Sequence, residues 1–147
     1  MDNNFSGNHQ IYIKTERDLH NRVVVAWVRR FFPELMLIPG LGELHTTDES
    51  RMEAWAKGYT KGTPDIIILN NHSVYRGLCI ELKSPTGNGT LSESQATFIA
   101  SLSQNKFQVI VSNDYDEIVH AIEQYTRGIA KGQTKRCRKK STQTLSN

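Results

Sequence analysis

Asp65, Glu81 and Lys83 are the residues whose types and spacing could do chemistry. Asp65 follows Pro64 and heads four consecutive aliphatics, Ile66 to Leu69, which read as a strand. Glu81-Leu82-Lys83 closes a second strand-like run, Val74 to Lys83. Alternate residues of a strand share a face, so Glu81 and Lys83 point the same way, in line with Cys79 and Gly77. Leu78, Ile80 and Leu82 then enter the core. Asn70-Asn71-His72-Ser73 is a turn by composition, and its shortness predicts an antiparallel pair. The head of the first strand then lies beside the end of the second, which brings Asp65 to Glu81 and Lys83. Two converging carboxylates repel unless a cation sits between them. Their oxygens suit Mg²⁺ or Mn²⁺, and Mg²⁺ keeps waters and substrate phosphates as further ligands. A lysine beside a metal-bound water can orient it or help deprotonate it. The chemistry within reach of this set is hydrolysis of a phosphodiester by activated water.

By itself E-x-K is a pattern that any exposed strand face can carry. Here it belongs to a longer string. Gly62-Thr63-Pro64-Asp65 comes first, Glu81-Leu82-Lys83 follows with sixteen positions from acid to acid, and Gln95 lies on a helix capped by Ser92. That string resembles the VRR-NUC family of the PD-(D/E)xK nuclease superfamily, whose pattern runs G-x-P-D, then E-L-K-x-P, then a helix that begins near a glutamine. The resemblance covers about residues 14 to 126. It implies that Asp65 and Glu81 are metal-binding acids, that the backbone carbonyl of Leu82 is a further ligand, and that Lys83 is the catalytic lysine. It also implies that Glu16, on the first helix, adds to the metal site or its water shell, and that Gln95 lies near the active site. Each of the last two has a plainer reading. Glu16 is an acid in a first helical turn, where the helix dipole favours it, and Ser92-x-x-Gln95 is a capping box. For the whole chain the resemblance implies a restriction-endonuclease-like core and a Mg²⁺- or Mn²⁺-dependent endodeoxyribonuclease. It further implies a homodimer acting on branched DNA such as four-way (Holliday) junctions. A flap, nicking or restriction-like endonuclease with the same site is the first rival. The second is a catalytically silent DNA-binding module on a nuclease fold.

The elements that must position these residues can be read along the chain. Thr15 to Phe31 reads as a helix, with Leu19, Val23, Trp27 and Phe31 on one stripe and Thr15 with Asp18 as an approximate capping box. Pro33 ends it. Leu35 to Ile38 is a short strand, and Asp48 to Lys57 a modest helix stopped by Gly58. After the two strands and a Pro/Gly loop from Ser84 to Thr90, a helix runs from Ser92 to about Gln104. Phe107 to Ser112 is a strand, and Tyr115 to Thr126 closes the fold with Ile118, Val119, Ile122 and Tyr125 inward. The order α-β-α-β-β-α-β-α predicts an α/β fold, one mixed central sheet flanked by helices. Residues 1–13 are expected to be a flexible N-terminus, 14–126 the nuclease-like domain, and 127–147 a disordered basic tail.

Charge and composition set the partners. The chain has 147 residues and a net charge of +3. Seven basic residues and no acid lie from Arg127 onward, which leaves the rest at −4. The cluster Lys135, Arg136, Arg138, Lys139 and Lys140 is an electrostatic footprint for a polyanion, DNA first, or a nuclear address. The loop into Asp65 carries Lys57, Tyr59, Lys61 and Thr63, residue types that hold nucleic acid by its backbone. The longest apolar run, Val23 to Val28, is far short of the ~20 residues of a membrane span. No secretory leader or disulfide framework is read, so an intracellular, reducing home in the cytoplasm or nucleus is expected. No membrane contact and no small-molecule cofactor are expected. The five histidines lack metal spacing and read as satisfied or surface residues, with His45 the best candidate to face DNA. Trp27 and Trp55 read as core, and Cys79 as a buried strand residue rather than a nucleophile.

Overall fold

The computed structural model describes residues 15–87 and 89–129. The N-terminal segment 1–13 and the basic cluster Lys135 to Lys140 lie outside the described residues. Four strands, β1 (Leu37–Pro39), β2 (Ile66–Ile68), β3 (Leu78–Leu82) and β4 (Gln108–Ser112), form one sheet in the order β1-β2-β3-β4. β1 and β2 are antiparallel, β2 and β3 antiparallel, and β3 and β4 parallel, so the sheet is mixed as expected. All five residues of β3 are buried, as a central strand covered on both faces requires.

The helices account for that cover. The first helical segment runs through α1 (Glu16–Asp18), a π-helical stretch Leu19–Val25, and α2 (Ala26–Phe31). It and α5 (Tyr115–Arg127) meet the face that carries Ile66, Ile68, Leu78, Ile80 and Leu82, and together they form the core. α4 (Glu93–Gln104) lies against β4 and brings Gln95 to the opposite face. α3 (Asp48–Ala56) joins β1 to the loop before β2. Among the described residues no helix is long and apolar enough to cross a membrane.

Three expectations are corrected. The stripe expected every fourth residue slips: the buried positions are Leu19, Val24 and Val28, and Phe31 is 56% exposed. The π-helical stretch causes this, because its wider turn inserts a five-residue step before the four-residue spacing resumes. Trp55 is not core but 77% exposed, since α3 buries only Ala54. The connection from β2 to β3 spans residues 69–77 rather than a four-residue turn. There the Val74 N–H donates to the His72 ring at 3.0 Å, and His72 stacks on Tyr125 with 5.0 Å between ring centres. A loop tied down by its own hydrogen bonds takes the place of the first half of the expected strand.

Candidate active site

The register of β2 against β3 pairs Ile66 with Ile80 and Ile68 with Leu78. One step further along it, Asp65 falls opposite Glu81. Pro64, opposite Leu82 in that register, has no N–H to give the Leu82 carbonyl. The N–H of Leu82 donates to Oδ2 of Asp65 at 2.7 Å. The aspartate carboxylate is thereby fastened to the peptide between Glu81 and Lys83. Along a strand the N–H and C=O of one residue leave on the same side, so the Leu82 carbonyl faces the edge where Asp65 stands. The next residue points away: the Lys83 N–H donates to the Ser112 carbonyl at 2.9 Å across to β4.

Glu81 is only 2% exposed, an unusual place for a carboxylate. Lys83 Nζ donates to its Oε1 at 2.9 Å, with the lysine side chain itself 12% exposed. Gln95 Nε2 donates to the same oxygen. The Gln95 carbonyl oxygen accepts from Lys83 Nζ at 3.2 Å and from the Ser92 N–H at 2.9 Å. Gln95 therefore does both things the sequence allowed: it completes the capping box with Ser92, and it orders the acid–lysine pair. Burial pushes the Glu81 carboxyl above the ordinary carboxylate range. The bond from Lys83 pulls it down, and the charge of Asp65 pushes it up again.

The loop before β2 is anchored by Gly62, whose φ of +92° suits glycine alone. A Cβ there would fall 2.4 Å from the Ser94 carbonyl oxygen, so the loop lies directly on the first turn of α4. Lys61 and Thr63 flank that contact. The Thr63 hydroxyl donates to the Thr60 carbonyl at 2.6 Å. Lys57 pairs with Glu53 at 2.5 Å on the exposed end of α3. Tyr59 is half-buried, and burial, then the charges of Asp65 and Glu81, raise its phenol. Cys79 is fully buried and its thiol is pushed up to about 12, in keeping with an inert strand residue.

The structure thus brings Asp65, Glu81, Lys83, Gln95 and the Leu82 backbone together. It does not draw Glu16 into the same carboxylate cluster. Among the described residues, no group of three or more His, Cys, Asp or Glu stands ready to hold a metal ion. Glu16 occupies the first turn of α1 behind the cap of Thr15, where the helix dipole favours an acid. The remaining donors still fit a hard divalent cation, because Mg²⁺ commonly takes one or two carboxylates and completes its shell with water. Lys83 and Gln95 both donate to Oε1 of Glu81, so neither bond would have to break for Oε2 to serve as a ligand.

Comparison with known proteins gives two findings. The family described as the VRR-NUC domain matches residues 16–113. A solved structure titled VRR_NUC domain protein superposes with a TM-score of 0.60 at 24% identity, over 78% of this chain and 89% of that one. That likeness concerns the fold. No curated protein matches the chain significantly.

Proposed function

The chain belongs to the VRR-NUC domain family, and from that premise we propose a Mg²⁺- or Mn²⁺-dependent endonuclease that cuts branched DNA, a four-way junction, as a homodimer. Membership makes it a nuclease-fold protein with DNA as its partner. The finer reading is carried by one observation, the Leu82 N–H that holds the Asp65 carboxylate at the E-L-K peptide. In this reading Asp65, Glu81 and the Leu82 carbonyl hold the ion. When bound, the ion supplies charge stabilisation at the phosphoryl oxygen and a more acidic water.

The chain's own groups do the rest. Glu81 and Gln95 grip the Lys83 ammonium from two sides, which fixes it where it orients the attacking water and offsets charge that develops on the phosphate. Ser92 holds Gln95 in turn. Lys61, Tyr59 and Thr63 line the approach and position flanking phosphates, and Lys57 reaches them by exchanging its Glu53 partner. Lys135, Arg136, Arg138, Lys139 and Lys140 add charge that tracks the DNA backbone. Two symmetric cuts in a junction need two active sites, which a twofold dimer provides.

The test is cleavage of labelled four-way junction, flap, nicked and linear duplexes in Mg²⁺, Mn²⁺ and EDTA, together with the mass in solution. Junction cutting by a dimer, silent in EDTA, is expected. Preference for flap or linear DNA moves the reading to the rival nucleases. DNA binding with no cutting of any substrate leaves the silent module.

A further inference from the structure

The loop and helix between β1 and β2 enclose a feature that phosphodiester hydrolysis itself does not use. A cavity of about 470 Å³ is lined by Gly42, His45, Arg51, Trp55, Tyr59 and Lys61. That volume is within the range of small-ligand sites. Its walls combine aromatic faces with cations. Trp55 is 77% exposed, and the neighbouring Met52 on the same helix is 73% exposed. The His45 and Tyr59 rings stand 5.2 Å apart at 59°. A Cβ at Gly42 would fall 2.5 Å from the Tyr59 hydroxyl, so a glycine is what lets that turn close over the ring. Arg51 is held along the wall, Nε donating to the His45 carbonyl at 3.2 Å and Nη1 to Asp48 at 2.9 Å. Among the described residues Lys61 makes no ion pair, and it also borders the groove over the first turn of α4.

The cavity shares a wall with the loop that leads to the acids. Tyr59 belongs to its wall and feels the charges of Asp65 and Glu81, and the loop from Tyr59 runs directly into Asp65. A strand whose phosphate reached the carboxylate pair would therefore pass Lys61 and present its neighbouring nucleotide to this cavity. A base within a duplex keeps both faces stacked and has none to offer. An unpaired base offers one, and every base stacks on an aromatic ring.

We propose that this cavity receives one unpaired nucleotide next to the scissile phosphate, its base stacked on Trp55 and its phosphate held by Lys61 and Arg51. The inference rests on the nuclease reading and narrows its substrate class: DNA with an unpaired base beside the cut, as in a flap or in a junction whose pairs open at the branch point, because a fully paired junction offers none.

Binding is measured without cutting, in the 147-residue chain carrying Asp65→Asn, by fluorescence anisotropy. The probes are a duplex with a short unpaired arm and the same duplex fully paired. Adding Trp55→Ala is expected to weaken the armed duplex about tenfold, as the loss of one stacked base would, and to leave the paired duplex unchanged. Trp55→Phe should restore most of the preference. Equal losses on both DNAs, no loss on either, no detectable binding of the armed duplex, or a change in solution mass without a change in DNA selectivity would each overturn the proposal. Because no cleavage is read, a Trp55-dependent preference in a protein that cuts nothing keeps the cavity and removes the nuclease. Cleavage of junctions without that preference does the reverse.

Discussion

At the scale of single residues, the candidate site is a buried acid that tolerates its position only because of what surrounds it. Glu81 accepts from Lys83 and Gln95 through one oxygen. Truncating Lys83 leaves a buried carboxylate short of its cation, a kind of loss that typically costs ~3–5 kcal/mol. Lys83→Ala should therefore unfold at lower urea concentration than the wild type as well as lose cleavage. Equal unfolding midpoints would show that the pair is not held as described. That Asp65, Glu81 and Lys83 would meet was legible in the sequence, because an acid heading one strand falls beside an acid-x-lysine ending its antiparallel neighbour. The exposure of Trp55 was not. It lies on a helix with a single buried alanine, and an indole at helical spacing carries no sign of which face the rest of the fold leaves open.

At the scale of elements, α5 and the 69–77 loop are fastened together by Tyr125. Its hydroxyl donates to the Asn70 carbonyl at 2.5 Å, and its ring stacks on His72. Burial, then the nearby Cys79, pushes the Tyr125 phenol up to about 12 from its ordinary 10.0. The folded state thus holds this proton more tightly than the unfolded chain. The associated stability is fully present below pH 10 and is lost as the pH rises toward 12, up to about 2–3 kcal/mol. Urea unfolding between pH 8 and 11.5 should show this alkaline loss, and Tyr125→Phe should make it shallower, although Cys79 contributes its own share. An identical alkaline slope in the variant would contradict the assignment. The inward face of α5 could be read from Ile118, Ile122 and Tyr125. The loop could not, because Val74 and Tyr75 look like strand residues, and only the His72 ring and the end of α5 withdraw them from the sheet. The first helix misled for a similar reason. A constant four-residue spacing assumes a regular turn, and nothing local to Leu19–Val25 announces the π-helical step that turns Val24 inward.

At the scale of the whole molecule, charge and fold divide the work. The acidic site lies in the domain, and the positive excess lies after it. Removing residues 131–147 deletes six basic side chains and keeps Ile129, which bridges to His72. If those six meet phosphates, the slope of log affinity against log salt should flatten by up to ~5, at about 0.9 for each contact. An unchanged slope would show that the tail does not touch DNA. The order of strands and helices was legible because each element carries its own boundary signals, Thr47 and Ser92 as caps and Pro33 and Gly58 as stops. The partner of each helix face was not, since that depends on packing between distant segments.

The central claim is that the Asp65 and Glu81 carboxylates hold one divalent ion beside Lys83. Its most direct test is Mn²⁺ binding followed by electron paramagnetic resonance, in the wild type and in Asp65→Asn. The asparagine oxygen can still accept the Leu82 N–H, so the fold should stand. The account expects saturable binding in the wild type, weakened by at least about tenfold (~1.4 kcal/mol) in the variant. Equal Mn²⁺ affinity in the two proteins would contradict it.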